Sequence, residues 1–142
     1  MKFLVTICTL LLVTGCDSLP TSYPGYGDVT INESREFAQL MENDQKNKTK
    51  ETAEVLNYLL NDTDPKDLKT AAVITNNSNC DIIVRLISKE NNVSYLLPIA
   101  RSSKNQFVIR KGNYLMKSNV CNAKYESQKN ISEPLMLKLS SH

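Results

Sequence analysis

The candidates for covalent chemistry in this 142-residue chain are its four cysteines and its carboxylates, because it has a single histidine. The only histidine is His142, the last residue, so a Ser-His-Asp or Cys-His arrangement would lack a positioned base. Four glycines are too few for a phosphate-binding loop. Glu126 and Glu133 lie near each other in the sequence, but at expected strand ends, where solvated acids are common, so we expect no glycosidase-type pair. The sequence predicts a protein without catalytic residues.

Cys16 is the residue with the clearest chemistry. It ends the run Val13-Thr14-Gly15-Cys16, which follows a short apolar segment and a single positive charge, Lys2. The segment is shorter than the ~20 residues that cross a bilayer, but it suits the apolar part of a secretory signal. The run resembles a lipobox, whose cysteine receives a diacylglycerol on sulfur and, after cleavage, usually a third acyl chain on its amine. We expect residues 1–15 to be removed and Cys16 to be lipidated; a plain secretory signal is the alternative.

Two of the four cysteines remain for the mature domain, Cys80 and Cys121, because Cys8 leaves with the signal. Exported proteins meet an oxidising environment, so we expect one disulfide between them, across the two layers of the domain or at one end of it. A zinc site is the alternative, but it needs more ligands than two cysteines without CxxC spacing can supply. We therefore expect neither metal nor cofactor.

Length and charge restrict the function further. Removing 15 of the 142 residues leaves 127, enough for one domain and a tether. The net charge of +2 at pH 7 gives no reason to expect nucleic-acid binding.

The region before the core divides into a tether and a helical segment. Residues 16–30 contain two prolines and two glycines without periodicity, which predicts a flexible lipid tether. Residues 31–64 predict helix, with Thr30 and Glu33 at capping-box spacing and Asp64-Pro65 as the stop. One helix reaching Leu60 and two shorter helices both fit the apolar clusters on either side of a polar middle. That middle carries lysines that could touch anionic surfaces or simply form a solvated face: Lys46, Lys48 and Lys50.

Residues 70–142 carry short β-rich runs separated by Asn, Ser and Gly clusters. This pattern predicts a mainly β fold, a small antiparallel β-sandwich of about seven strands. The expected strands are Ala71–Thr75, Asp81–Ile87, Val93–Ile99, Gln106–Arg110, Asn113–Lys117, Val120–Ser127 and Leu135–Leu139. Alternation with polar neighbours predicts these inward-facing side chains: Ile83, Leu97, Phe107, Ile109, Tyr114, Met116, Tyr125 and Leu137.

Four segments of the β region carry a family resemblance: residues 76–85, 95–99, 109–114 and 118–125. They resemble small two-cysteine β-domains of lipoproteins from one Gram-negative phylum. With its lipobox, helical segment and size, the whole chain is similar to the TssQ family, small lipoprotein subunits of that phylum's type VI secretion trans-envelope complex. The resemblance implies an assembly role and assigns no functional residue beyond Cys16.

The expected function is therefore that of a lipid-anchored periplasmic structural protein. Its expected partners are the membrane, reached through the lipid, and other envelope-complex proteins, with no small-molecule substrate. We expect the outer membrane, facing the periplasm, although Asp17 beside the lipidated cysteine resembles a retention signal for the inner membrane in enteric-type sorting. The alternatives are an envelope immunity protein and a ligand or glycan module with a basic rim of Arg85, Arg101, Lys104, Arg110 and Lys111.

Overall fold

The computed structural model describes residues 26–48, 53–61 and 64–141. The predicted signal peptide and the tether up to residue 25 lie outside these ranges, as do Cys16, Lys50 and His142.

In the described part of the chain, two helices precede the strands, and residues 49–52 between them lie outside the described ranges. Helix α1 spans Tyr26–Lys48 and helix α2 spans Ala53–Asn61. Because α1 begins at Tyr26, Thr30 lies inside it, so the predicted capping box at Thr30 and the tether boundary at residue 30 are wrong. The Pro/Gly cluster that suggested a tether extends only to Gly27, and tertiary contacts further along α1 stabilise a helix that local propensity alone does not favour.

Seven strands follow between residues 69 and 139, as predicted, with ends shifted by up to three residues in most of them. They are β1 (Lys69–Asn76), β2 (Ile82–Ser88), β3 (Ser94–Ile99), β4 (Ser103–Arg110), β5 (Gly112–Val120), β6 (Ala123–Ile131) and β7 (Leu135–Leu139). Val120 was expected to open the sixth strand but closes the fifth, so β5 and β6 form a hairpin around Cys121-Asn122. Between β4 and β5 the chain changes sheet at Gly112, whose φ of +151° is rare for other residues.

The strands form a two-layer sandwich with sheet orders β4-β1-β7 and β3-β2-β5-β6. The predicted small sandwich of about seven strands is confirmed, and every pair of strands but one is antiparallel as expected. The exception is β1 with β7, which run parallel in a register from Ala72 opposite Leu135 to Asn76 opposite Leu139. Strands joined by a hairpin must pair antiparallel. The strand before β7 is β6, which belongs to the other sheet, so no hairpin joins β7 to β1 and their parallel pairing is allowed.

The core lies between the two sheets and contains Leu97, Phe107, Ile109, Tyr114 and Met116, as predicted. Tyr125 and Leu137 are half-buried and pack against it. Ile83 is fully buried but belongs to the opposite face of its sheet, since Ile82 and Val84 point into the core. Period-two alternation could not assign Ile83 because α1 covers the outer face that this residue occupies.

Helix α2 explains why β1 is a continuous apolar run. Ala71, Ala72, Val73 and Ile74 are all buried. Ala72 and Ile74 belong to the core between the sheets, whereas α2 contacts β1 and β4 and buries its Leu59. A strand covered on both faces loses the apolar–polar alternation of a half-exposed strand.

Candidate functional site

The disulfide Cys80–Cys121 is present, as predicted. Its Cα atoms are 5.4 Å apart, within the usual range for a bridge, and the two residues are 41 positions apart in sequence. Cys80 precedes β2, and Cys121 lies in the turn after β5 with φ of +56°, not in a strand as expected. Because β2 and β5 are neighbours, the bridge fastens one end of the four-stranded sheet and does not cross between the layers.

Next to the disulfide, Asp81 and Arg101 form an ion pair. The Arg101 backbone N–H donates to Asp81 Oδ1 at 2.9 Å, and its Nη2 lies 3.3 Å from Oδ2. Burial of the Asp81 carboxyl acts to raise its pKa, but the hydrogen bonds and the charge of Arg101 outweigh burial, so the pKa of Asp81 lies below the usual 3.8. This carboxylate stays ionised at neutral pH and joins the β3–β4 turn to the start of β2.

The first contact between α1 and the sandwich is centred on Arg85 of β2, on the outer face of the four-stranded sheet. Its guanidinium lies 2.7 Å from Glu36 and 3.4 Å from Glu33. Asn119 of β5 donates from Nδ2 to both Glu33 carboxylate oxygens at 3.3 Å. We call these four residues the acidic clamp, because two glutamates of α1 hold two neighbouring strands.

A second contact lies about three turns further along α1. Asp44 accepts hydrogen bonds from Lys48 Nζ at 2.7 Å and from Asn105 Nδ2 at 2.9 Å, and Lys48 also donates to Asn105 Oδ1. The Lys48 ammonium lies 5.3 Å from the centre of the Phe107 ring, within the range of a cation–π contact. We call Asp44, Lys48, Asn105 and Phe107 the amide clamp.

The helix lysines differ in what they contact. Lys48 faces the sandwich, and Lys46 Nζ lies 2.6 Å from Glu42 on the exposed side of α1. Lys50 lies outside the described residues. Binding of an anionic surface by these lysines stays a prediction, and Lys48 is already engaged within the fold.

The basic residues of the alternative ligand-binding rim do not form one surface. Arg85 belongs to the acidic clamp and Arg101 binds Asp81. Lys111 Nζ donates to the backbone oxygen of Asp64 at 2.7 Å. Lys104 and Arg110 lie at opposite ends of β4. These cations therefore lie at separate parts of the fold, and several of them stabilise it.

Recesses open at both ends of the four-stranded sheet. One, of about 390 Å³, lies between α1 and the disulfide end and is lined by Glu33, Phe37, Asp81, Arg101 and Asn119, among others. Another, of about 450 Å³, lies at the far end of the sheet beside Glu90, Asn113 and Tyr114.

Tyr114 does not supply a base to the recess at the far end. Burial, with a smaller contribution from Tyr95, raises the pKa of Tyr114, and its hydroxyl donates to the Arg110 carbonyl at 2.8 Å. The phenol therefore stays protonated at neutral pH.

The two glutamates considered for a catalytic pair lie in different elements of the described chain. Glu126 lies 3.2 Å from Lys117, and Glu133 lies in the turn before β7. Within the described ranges, no three His, Cys, Asp or Glu side chains come together as a metal site. Neither α1 nor α2 is long and apolar enough to cross a membrane.

Comparison with protein families places the sandwich in a known group. The model of the family described as "Domain of unknown function (DUF6759)" matches residues 43–142. The chain belongs to the DUF6759 family. No curated protein matches the chain. The DUF6759 match begins within α1, so it includes the amide clamp and the disulfide but not Glu33 and Glu36 of the acidic clamp.

Sequence reasoning missed both clamps. Glu33 was assigned to a capping box, and Glu36 and Asp44 had no assigned role; their partners in the sandwich lie 49 to 86 residues away in the chain. A signal did exist: Arg85 interrupts the apolar run of β2, and a charge at that position needs a partner.

Proposed function

We propose that this protein is a lipid-anchored structural protein of the Gram-negative cell envelope, and specifically a component of a type VI secretion trans-envelope complex. The observation that best supports an anchoring role is the attachment of α1 to the sandwich at two separate places. An anchor has to transmit a load from the membrane to a folded domain, and a helix held at one point would peel away more easily.

The path of such a load can be followed along the chain. Cys16 lies ten positions before Tyr26, so the segment between the proposed lipid and α1 reaches at most about 33 Å at ~3.3 Å per residue. The clamps at Glu33 and Asp44 are 11 residues apart, about 16 Å along a helix. A pull on the tether is therefore shared between contacts to β2 and β5 on one side and to β4 on the other.

Lipidation would make this attachment long-lived. Three acyl chains exceed the two membrane-binding signals that stable anchoring requires. Confinement to one membrane also raises the effective concentration of partners on that membrane. We place the protein at the outer membrane, facing the periplasm, where a disulfide is stable.

The ligand-binding alternative gains no support from the geometry, because its basic residues are separated and mostly engaged within the fold. The immunity alternative has no structural observation in its favour. The anchoring role therefore remains the function that the arrangement supports best.

The test compares Cys16→Ser with Cys8→Ser, a matched change in the expected signal segment that leaves Cys16 in place. Cells expressing each tagged full-length chain are labelled with a fatty-acid analogue, fractionated, and used for crosslinked affinity purification with mass spectrometry. We expect wild type and Cys8→Ser to carry label, sediment with membranes and recover proteins of the secretion complex. Cys16→Ser should lose all three properties.

Two results would overturn the proposal. If Cys16→Ser stays on the membrane and recovers the same proteins, the lipid is not the anchor. If the labelled wild type recovers no envelope-complex protein, anchoring stands but the assembly role is wrong.

A further inference from the structure

The edges of the two sheets differ in how they are protected. On the side of β3 and β4, Asn105 Nδ2 donates to the Pro98 carbonyl at 2.8 Å, and the Arg110 N–H donates to Tyr95 Oη at 3.1 Å. The amide clamp of α1 lies over the same side through Asn105 and Lys48. These contacts join the two edges and leave little room for another strand.

The β6 edge is protected by charge. Lys124 and Glu126 alternate along its exposed side, and Lys129 stands opposite the buried Tyr114, so that a charged side chain points towards the sandwich interior. Alternating and inward-pointing charges are devices by which natural edge strands avoid pairing with other chains.

The β7 edge has no such protection from the residues that the structure describes. Its sequence is Leu-Met-Leu-Lys-Leu, with Lys138 as its single charge, and among the described strands β7 pairs with β1 alone. Met136 is 68% exposed, although it is a large apolar residue. Met136 therefore lies on the surface beside an open strand edge.

The hydrogen bonds of β7 identify which of its backbone groups face outwards. The Asn77 N–H donates to the Leu139 carbonyl at 2.7 Å, so the backbone groups of Leu139 point towards β1. Backbone direction alternates along a strand, so those of Leu135 and Leu137 also point to β1. The N–H and C=O groups of Met136 and Lys138 consequently face the open edge.

We propose that β7 pairs antiparallel with β7 of a second copy, around a two-fold axis at Leu137. In this register Met136 stands opposite Lys138 of the second copy, and each such pair exchanges two backbone hydrogen bonds, which satisfies all the outward groups of both residues. The two Lys138 ammonium groups do not face each other, and each apolar Lys138 stem lies across from a Met136 side chain. The three-stranded sheets join into one of six strands. This self-complementarity is the reason to choose a second copy over a foreign strand.

The interface is small, with five residues per copy against the roughly 20–30 per side of a stable interface. Pairing therefore depends on a high local concentration, which the lipid anchor of the proposed function would supply. In this respect the inference rests on the proposed function.

The experiment uses full-length chains with two different tags, one carrying Met136→Cys and the other Lys138→Cys, expressed together and oxidised mildly in intact cells. Opposite residues of a hydrogen-bonded pair have Cα atoms ~5.5 Å apart, which a disulfide can span, whereas two thiols introduced at the same position of both copies lie on a longer diagonal. We expect a covalent dimer with both tags and little dimer from either variant alone. Glu126→Cys with Gln128→Cys on β6 is the matched control, with the same spacing on an exposed edge, and should give no dimer.

The outcomes separate the two proposals when the cysteine pair is also placed in a Cys16→Ser background. Dimer that disappears with Cys16→Ser supports both pairing and anchoring. Dimer that persists in the unlipidated chain supports pairing and argues against its dependence on the anchor. Absence of the mixed dimer in chains that still carry lipid overturns the pairing and leaves the anchor intact, and equal dimer from the β6 control overturns the register.

Discussion

Asn76 at the end of β1 offers the sharpest test of how this fold is stabilised. Its side chain is fully buried, and its Nδ2 donates to the backbone oxygens of Cys80, Ala100 and Ile99 at 2.8, 3.1 and 3.3 Å. Its Oδ1 accepts from the backbone N–H and the hydroxyl of Ser78 at 3.0 and 2.7 Å. One amide thus joins β1, the loop before the disulfide and the β3–β4 turn.

The substitution Asn76→Asp keeps the shape of the side chain but replaces the donor Nδ2 with an oxygen that, when ionised, can only accept hydrogen bonds. Ser78 Oγ and Ser103 Oγ still donate to the carbonyls of Cys80 and Ala100, but the new carboxylate oxygen would face three carbonyl oxygens and no donor. A buried group without a partner costs about 1–3 kcal/mol, and more when it is charged, so we expect a loss of about 4 kcal/mol in the free energy of unfolding. With a urea slope of about 1.5 kcal/mol/M, the unfolding midpoint would fall by roughly 2–3 M.

The variant should also gain a pH dependence with a defined sign. Burial and the facing carbonyls raise the pKa of the introduced carboxyl in the folded state above its unfolded value of about 3.9. The protonated form can donate one hydrogen bond, so the deficit relative to wild type is largest at neutral pH and shrinks as pH falls through the folded-state pKa.

Urea unfolding followed by circular dichroism at pH 7 and pH 5 measures both effects. The matched control is Asn77→Asp, the same chemical change at the next residue, which is exposed and should alter the midpoint little. Equal stability of Asn76→Asp and Asn77→Asp at pH 7, or a deficit of Asn76→Asp that does not change with pH, would contradict this role of the Asn76 amide.

Polar groups elsewhere in the sandwich provide two more tests. Ser118 is buried and its hydroxyl has no hydrogen-bond partner among the described residues, so Ser118→Ala should raise the melting temperature. The control, Ser127→Ala, removes a hydrogen bond to Tyr125 and should not raise it. A lower melting temperature for Ser118→Ala would contradict this prediction. The pKa of Asp81 is lower in the folded protein than its usual value of 3.8, so its pairing with Arg101 stabilises the fold at pH values above 3.8. This stabilisation is lost as the pH falls below that value and the carboxylate becomes protonated. Melting curves between pH 7 and pH 3 should therefore show a smaller acid-induced loss for Arg101→Ala than for wild type, and equal losses would refute the link.

The strands of this fold could be predicted because they depend on local patterns. Turn residues separate apolar runs of strand length, and alternation within a run identifies the inward side chains wherever one face of a sheet meets solvent. It assigned Phe107 and Ile109 of β4 correctly. It could not place Ile83, because α1 covers the outer face of β2 and removes the contrast between inside and outside.

The candidate site depends on contacts that no local pattern specifies. Glu33, Asp44 and Asn105 have ordinary neighbours in sequence, and their roles arise only when α1 crosses the sheet. The start of α1 at Tyr26 and the parallel direction of β7 belong to the same class, since each depends on packing between distant segments.

Local sequence was enough to predict the seven strands, the mainly β class and the pairing of Cys80 with Cys121, because strand length, turn chemistry and the number of available thiols are properties of short segments and of composition. The expectation of a lipid on Cys16 likewise depends on a run of four residues. The folded chain was needed to learn where the disulfide lies, how α1 is clamped to the sheet, and which edge of the sandwich stays open. Those features result from the packing of two sheets and two helices, and packing energies are summed over residues far apart in the chain.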